Sequence, residues 1–145
     1  MLLRTFFMIG YFASWSAYPD MGYSVDQLDL TKLLHVMYAF ALPSKTGEIF
    51  LPDPEIDYGD TSDSILRDGS ANFLSIVTSS SKRDKFILTS ISLMNDLGMD
   101  GLDLYWKFPK NEREAKNYVT LLQELRIVLD IYKIIKDEKE KYLLS

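Results

Sequence analysis

The chain alternates short apolar runs with segments of helical periodicity, and this order constrains its fold more than any other feature. Residues 5–12, 33–42 and 99–106 are each predicted to form a strand. Helices are predicted at 81–97 and from Asn111 onward. Strands that are apolar on both faces and alternate with helices are typical of α/β folds with a parallel sheet. The periodicity alone leaves an open sheet and a barrel as alternatives.

Both predicted helices carry an apolar stripe, which indicates the faces that they bury. In the first helix, which Ser80 or Ser81 should cap and Gly98 should end, the stripe consists of Phe86, Ile87, Ile91 and Met94. In the second helix the stripe consists of Tyr118, Leu121, Leu122, Leu125, Val128 and Leu129. The predicted core therefore lies where these two stripes meet the strands.

The remaining segments are rich in turn-forming residues. Residues 25–32 are predicted to form a short helix or turn, and residues 47–58 a surface loop. Residues 59–71 have the composition of a linker, and residues 73–78 form a strand on propensity alone.

Composition excludes several classes of function. A length of 145 residues with 47% hydrophobic and 26% charged residues fits one globular domain. A net charge of −5 argues against a nucleic-acid surface. Without cysteine there is no disulfide, thiolate metal site or thiol nucleophile. The N-terminal run resembles a signal peptide only loosely, and no run reaches the length of a membrane span. The localisation is left open: the chain as written is expected to be cytoplasmic, an extracellular location is the alternative for a more complete form of it, and no membrane partner is expected.

The chemically informative segment is 100–109, which reads DGLDLYWKFP. Because side chains alternate along a strand, one face carries Asp103, Tyr105 and Lys107, and the intervening apolar residues lie on the other. Polar residues at the end of a barrel strand usually line the mouth where chemistry occurs. The alternative is a surface strand with one solvated face.

This segment resembles the signature of glycoside hydrolase family 18, the chitinases, whose fourth strand reads D-G-x-D-x-D-x-E before an aromatic residue and Pro. Asp100, Gly101 and Asp103 match the motif. Tyr105 stands at the position of the third family Asp, and Lys107 at that of the terminal Glu.

The resemblance extends over nearly the whole chain and is closest to the fungal-type enzymes. The similar segments, in family order, are 10–18, 33–41, 47–53, 82–86, 100–109, 111–130 and 142–145. The resemblance implies an incomplete TIM (β/α)8 barrel, with about three to four parallel strands and flanking helices in one domain over 1–145. The family's third strand and strands five to eight have no counterpart, and 59–72 is interpreted as a deletion junction.

The resemblance implies chitin or chitin oligosaccharides as ligand and no cofactor. In the family the terminal Glu protonates the glycosidic oxygen, while the substrate's acetamido group attacks the anomeric carbon with help from the preceding Asp. A lysine ammonium is a weak acid, with an ordinary pKa of about 10.4, and a phenol supplies no anion at neutral pH. We therefore predict that the chain is inactive as a hydrolase although Asp103 is retained. The alternatives are a lectin-like or partner-binding role, or hydrolysis only when the missing half is supplied in trans.

Other aromatic and titratable residues are candidates for sugar contact or metal binding. By resemblance, Tyr11 and Phe40 line the floor of the sugar pocket. Trp106 is a candidate stacking platform, but for this residue core packing is the favoured interpretation. His35 is expected to be a core histidine. The acidic residues of 53–60 are expected to be solvated, with a weak Ca²⁺ site as the alternative, and no metal site is predicted.

Overall fold

The computed structural model of the chain describes residues 8–13, 16, 21–51 and 62–145. Within these ranges the elements, in chain order, are β1 (Ile9–Ala13), β2 (His35–Ala39), β3 (Leu42–Pro43), β4 (Ile49–Phe50), α1 (Ser62–Val77), α2 (Ser80–Asp96), β5 (Gly101–Leu102), α3 (Glu112–Lys136) and β6 (Leu143–Leu144). The predicted short helix at 25–32 consists of two 3-10 turns, Val25–Gln27 and Leu30–Lys32.

The described strands pair two by two. β1 and β2 are parallel, with Ile9 opposite His35, and β5 and β6 are parallel, with Gly101 opposite Leu143. β3 and β4 form a short antiparallel hairpin. Parallel pairs separated along the chain by helices confirm the α/β class that the sequence predicts.

The main core lies among the three helices and the segment after β5. Its buried members are Phe73, Ile76 and Val77 of α1, Phe86, Ile87, Ile91 and Met94 of α2, Leu121, Leu125 and Leu129 of α3, and Trp106. The predicted stripe of α2 is therefore confirmed, and so is that of α3 except at Leu122, which lies outside this cluster beside Val119 and Ile127. β5 and β6 pack onto the core through their apolar residues Leu102 and Leu144.

The predicted ends of the helices at Gly98 and Asn111 are also confirmed. Gly98 has a φ of 62°, and the next amide, of Met99, donates to the Met94 carbonyl at 2.9 Å, which closes α2. The Asn111 side chain accepts from the Glu114 amide at 3.0 Å at the start of α3. The cap of α2 is Ser79, one residue before those expected, and its side chain makes no capping bond.

The strand predicted at 73–78 is wrong, because residues 73–77 form the last turns of α1. Phe73, Ile76 and Val77 recur at helical spacing and are buried against α2 and α3. Packing of this face outweighs the β propensity of the segment. The linker predicted at 59–71 is wrong from Ser62 onward, because α1 begins there, and residues 59–61 lie outside the described residues.

The predicted strands are longer than the observed ones. The strand expected at 99–106 is limited to β5, and the one expected at 33–42 to β2. Of the strand expected at 5–12, residues 5–7 lie outside the described residues, and β1 continues to Ala13. Ladders need a partner strand along their length, and β6 offers β5 only two paired residues.

The surface loop predicted at 47–58 begins instead with the β3–β4 hairpin, and residues 52–58 lie outside the described residues. Gly47 turns this hairpin with a φ of 93°. A Cβ atom there would lie 2.6 Å from the Lys82 carbonyl oxygen of α2, so a side chain would collide with the helix backbone.

One ion pair ties the three helices together. On α2, Arg83 Nε donates to Glu124 Oε2 of α3 at 2.7 Å, and Arg83 Nη2 donates to Glu124 Oε1 at 3.0 Å. Arg83 Nη1 donates to the Val77 carbonyl of α1 at 3.1 Å. This bidentate pair raises the pKa of the Arg83 guanidinium, chiefly through its hydrogen bonds to Glu124.

The outer side of α3 carries an exposed apolar stripe, which we call the isoleucine stripe. Its side chains are between 52% and 77% exposed and belong to Ile127, Ile131, Ile134 and Ile135. The stripe recurs at helical spacing, so it forms one continuous face on the side of α3 opposite the core. Across the described ranges, no helix combines the length and the apolar content needed to cross a membrane.

We predict that Glu124→Gln lowers the free energy of unfolding by about 1–2 kcal/mol, since a charged hydrogen-bond partner of a partly buried guanidinium is lost. Urea unfolding followed by circular dichroism measures the change. Glu112→Gln is the control, because the Glu112–Lys116 pair is exposed on the first turns of α3 and should matter by less than about 0.5 kcal/mol. Equal effects of the two substitutions would contradict the prediction.

Candidate functional site

The segment that follows β5 presents its polar side chains away from the helices. Exposure alternates along it, with Asp103, Tyr105 and Lys107 exposed and Leu104 and Trp106 turned inward. The Leu104 amide donates to the Ser145 carbonyl at 2.8 Å, which extends the β5–β6 pairing beyond the ladder. The polar face therefore lies at the carboxyl ends of two parallel strands, where sites of α/β proteins are built.

Trp106 fixes the orientation of this segment. Its indole is only 6% exposed, stacks on Phe73 with the ring centres 6.1 Å apart, and meets Tyr118 edge-on. Trp106 Nε1 donates to Ser70 Oγ at 3.1 Å, and that hydroxyl donates to the Lys107 carbonyl at 3.0 Å. Because Trp106 is anchored inward, its neighbours in the chain point outward.

The Asp103 carboxylate is held by two hydroxyl groups from other strands. Tyr11 of β1 donates to Oδ2 at 3.3 Å, and Ser145, the residue after β6, donates to Oδ1 at 2.9 Å. Each oxygen thus accepts one hydrogen bond. The Tyr11 contact joins positions 92 residues apart and connects the β1–β2 pair to the β5–β6 pair.

The same carboxylate affects two phenols. Asp103 raises the pKa of Tyr11, first because a phenolate would form beside a negative charge and second because the hydrogen bond favours the neutral phenol. The pKa of Tyr118 is also raised, but burial is the larger cause and the charge of Asp103 the smaller. Tyr118 donates to the Leu104 carbonyl at 2.8 Å, so it supports the segment from the core side.

Four aromatic rings are exposed at this end of the strands or in the segment after them. The exposed fractions are 68% for Tyr11, 47% for Phe40, 69% for Tyr105 and 62% for Phe108. Phe40 follows β2 directly, as Tyr105 and Phe108 follow β5. The predicted site residues Tyr11, Asp103, Tyr105 and Lys107 are therefore exposed in the same part of the fold, with direct contact shown between Tyr11 and Asp103.

Trp106 is placed differently from the other candidates for sugar contact. Its ring is part of the helical core, which is the alternative that the sequence left open for it. A buried ring offers almost no face to a sugar, so the structure does not support a stacking role for Trp106.

The motif residues Asp100 and Gly101 support the strands and do not face the site. A Cβ atom at Gly101 would lie 2.5 Å from the Leu143 carbonyl oxygen, so the close approach of β6 requires glycine there. Asp100 lines a cavity of about 570 Å³ at the amino ends of the strands. His35 lines the same cavity and is half-buried, at the opposite end of β2 from Phe40.

Two contributors to the site were not predicted from the sequence. Ser145 could have been found by alternation, because Leu144 before it is an apolar residue that packs on the core. Ser70 stands in a segment that reads as a linker and offered no such signal. The acidic residues predicted at 53–60 lie outside the described residues. Among the described ones, no three His, Asp or Glu side chains are grouped so that they could hold a metal ion.

We predict that Asp103→Asn lowers the pKa of Tyr11 toward its ordinary value near 10, because the adjacent negative charge is removed. NMR titration of the tyrosine ring carbons measures this. Tyr118 serves as an internal control, since burial is the main cause of its raised pKa and remains in the variant. An unchanged Tyr11 pKa would show that Asp103 does not act on it.

The chain was compared with protein families and with known proteins. Residues 8–145 match the model of the glycosyl hydrolases of family 18. Chitinase 1 of Aphanocladium album is 26% identical over 93% of this chain and 40% of its own length.

Solved structures of the same family share the fold. The family 18 chitinase of Cycas revoluta, solved with (GlcNAc)3, has a TM-score of 0.77 at 23% identity over 94% of this chain. The chitinase-like agglutinin of Robinia pseudoacacia has a TM-score of 0.75 at 22% identity. This chain covers 44% and 45% of those two chains, so it spans less than half the length of the proteins it matches.

The fold of these neighbours explains the two parallel strand pairs, β1–β2 and β5–β6. In a TIM barrel, parallel strands are arranged around one axis and the site lies at their carboxyl ends. The predicted class, an incomplete (β/α)8 barrel, is confirmed, and the chain belongs to glycosyl hydrolase family 18.

Proposed function

We propose that this chitinase-like chain does not hydrolyse chitin. The observation that carries the proposal is the side chain at position 107, an exposed ammonium at the motif position of the family's carboxylic acid. Asp103 is the one carboxylate on the face formed by 103, 105 and 107, and both its oxygens accept hydrogen bonds.

The chemistry of the reaction supports this proposal. Cleavage requires a group that holds a proton near the working pH and delivers it to the departing oxygen. Loss of a positioned acid reduces the rate by roughly 10²–10⁴-fold. Tyr105 replaces a second carboxylate of the motif, so the positive charge that develops on the sugar also has less compensation.

The predicted result is no release of fluorophore from a fluorogenic chitobioside by the purified chain. Lys107→Ala is assayed beside it, so that a contaminating enzyme is recognised by activity that persists in the variant. Turnover by the unmodified chain that disappears in Lys107→Ala would overturn the proposal.

A second candidate function is non-catalytic binding of chitin oligosaccharides. It is favoured by the exposed rings of Tyr11, Phe40, Tyr105 and Phe108, since aromatic faces suit the apolar faces of pyranose rings. The Robinia pseudoacacia neighbour, which is named a chitinase-like agglutinin, supports a lectin-like role on this fold. In this proposal Asp103, with its two hydroxyl donors, is a hydrogen-bonding group for sugar hydroxyls.

We expect titration with chitotetraose in a calorimeter to give measurable heat, and Tyr105→Ala to weaken binding at least about fivefold, as removal of an aromatic contact residue does. Ile134→Ala is the matched control, because Ile134 is equally exposed but lies in the last turn of α3. Absence of heat at millimolar ligand, or an equal loss in both variants, would exclude the binding role.

A further inference from the structure

We infer that Lys107 makes this site selective for anionic oligosaccharides that contain N-acetylglucosamine, and that it disfavours deacetylated, cationic ones. The inference deepens the binding role proposed above and rests on it. Its basis is the charge balance of the exposed face after β5.

The backbone at Lys107 is held in place by a contact with α1. The Ser70 hydroxyl binds the Lys107 carbonyl at 3.0 Å and the buried Trp106 indole at 3.1 Å, so the backbone of both residues is held against α1. With Trp106 turned into the core, the side chain of Lys107 must extend from the opposite face. A lysine there is presented to a ligand and is not free to fold back among the helices.

The two charged side chains on this face, Asp103 and Lys107, differ in the number of hydrogen-bond partners that they have. Both oxygens of Asp103 accept hydrogen bonds, from Tyr11 and from Ser145. The Lys107 ammonium, in contrast, forms no ion pair or hydrogen bond with any of the side chains that the structure describes, which within 62–145 are those from Ser70 onward. An approaching ligand therefore finds one positive charge that lacks a partner within these ranges.

The residues on either side of Lys107 favour a sugar as the carrier of the matching charge. Tyr105 is on the same face, and Phe108 follows directly, both with more than half of their surface exposed. Rings that can stack on pyranoses, together with a single ammonium, fit a saccharide that bears a carboxylate or a sulfate. Lys107 would repel the ammonium of a glucosamine unit, and the Asp103 carboxylate opposes this in part, because its two hydrogen-bond donors are neutral hydroxyls.

The test is calorimetric titration of the full chain with three tetrasaccharides of different charge. They are a hyaluronan tetrasaccharide, in which N-acetylglucosamine alternates with glucuronate, neutral chitotetraose, and its fully deacetylated counterpart. We expect affinity to fall in that order, by about two- to fivefold per step at low salt, the size of one exposed ion pair. The differences should shrink at high salt, because exposed charges are screened.

Three variants locate the effect. Lys107→Gln should abolish the order of preference and Lys107→Glu should reverse it, since both alter only an exposed side chain. Lys139→Gln is the matched control: it makes the same change in net charge at an exposed position between α3 and β6, at the amino ends of the strands, and should leave the order unchanged.

The outcomes separate this inference from the binding role itself. Equal affinity for the anionic and neutral ligands, or a preference that persists in Lys107→Gln, would overturn the selectivity and leave the binding role in place. Failure of all three ligands to bind would exclude the binding role and the selectivity together.

Discussion

The burial of the Trp106 indole between α1 and α3 sets the direction of every polar side chain at the carboxyl end of β5. The ring stacks on Phe73, meets Tyr118 at its edge, and donates its one hydrogen bond to Ser70. A buried indole needs such a partner for its N–H group, and here the partner also holds the next carbonyl. The packing of one apolar residue thus determines what faces solvent on either side of it.

On the opposite face, the chain keeps part of the family's polar arrangement and changes the rest. The Asp103 carboxylate accepts a hydrogen bond from Tyr11 of β1 and another from Ser145 at the end of β6. The segment after β5 is therefore linked to both of these strands. Four residues further along, the charge is positive and has no such support. The retained residue, Asp103, contacts two other segments of the fold, and the two altered positions, Tyr105 and Lys107, are exposed to solvent.

The features that the sequence predicted well are those set by local chemistry. Gly98 and Asn111 bound their helices because a left-handed residue and a capping side chain act within one turn. The buried stripes followed from helical spacing alone. The segment at 73–78 was misassigned because its Phe, Ile and Val residues suit strands equally well, and only contact with α2 and α3 decides between the two.

The residues of the site that belong to the motif at 100–109 could be predicted from the sequence. The contacts between segments that are distant along the chain could not. The alternation of 103, 105 and 107 could be read directly from the strand pattern. The contact of Tyr11 with Asp103 and the contact of Ser70 with the Lys107 carbonyl join segments 92 and 37 positions apart. No local pattern contains such contacts, and for Tyr11 only the family resemblance indicated a place in the pocket.

The isoleucine stripe of α3 has a consequence for the chain in solution. The free energy falls when hydrocarbon side chains that form one continuous helix face are transferred out of water. Contact with any second apolar surface achieves this transfer. Among the described residues, some strand edges are also unpaired, and their backbone N–H and C=O groups can form hydrogen bonds with a second molecule. We therefore expect self-association of the chain to increase with concentration, so that measurements on the monomer require dilute samples.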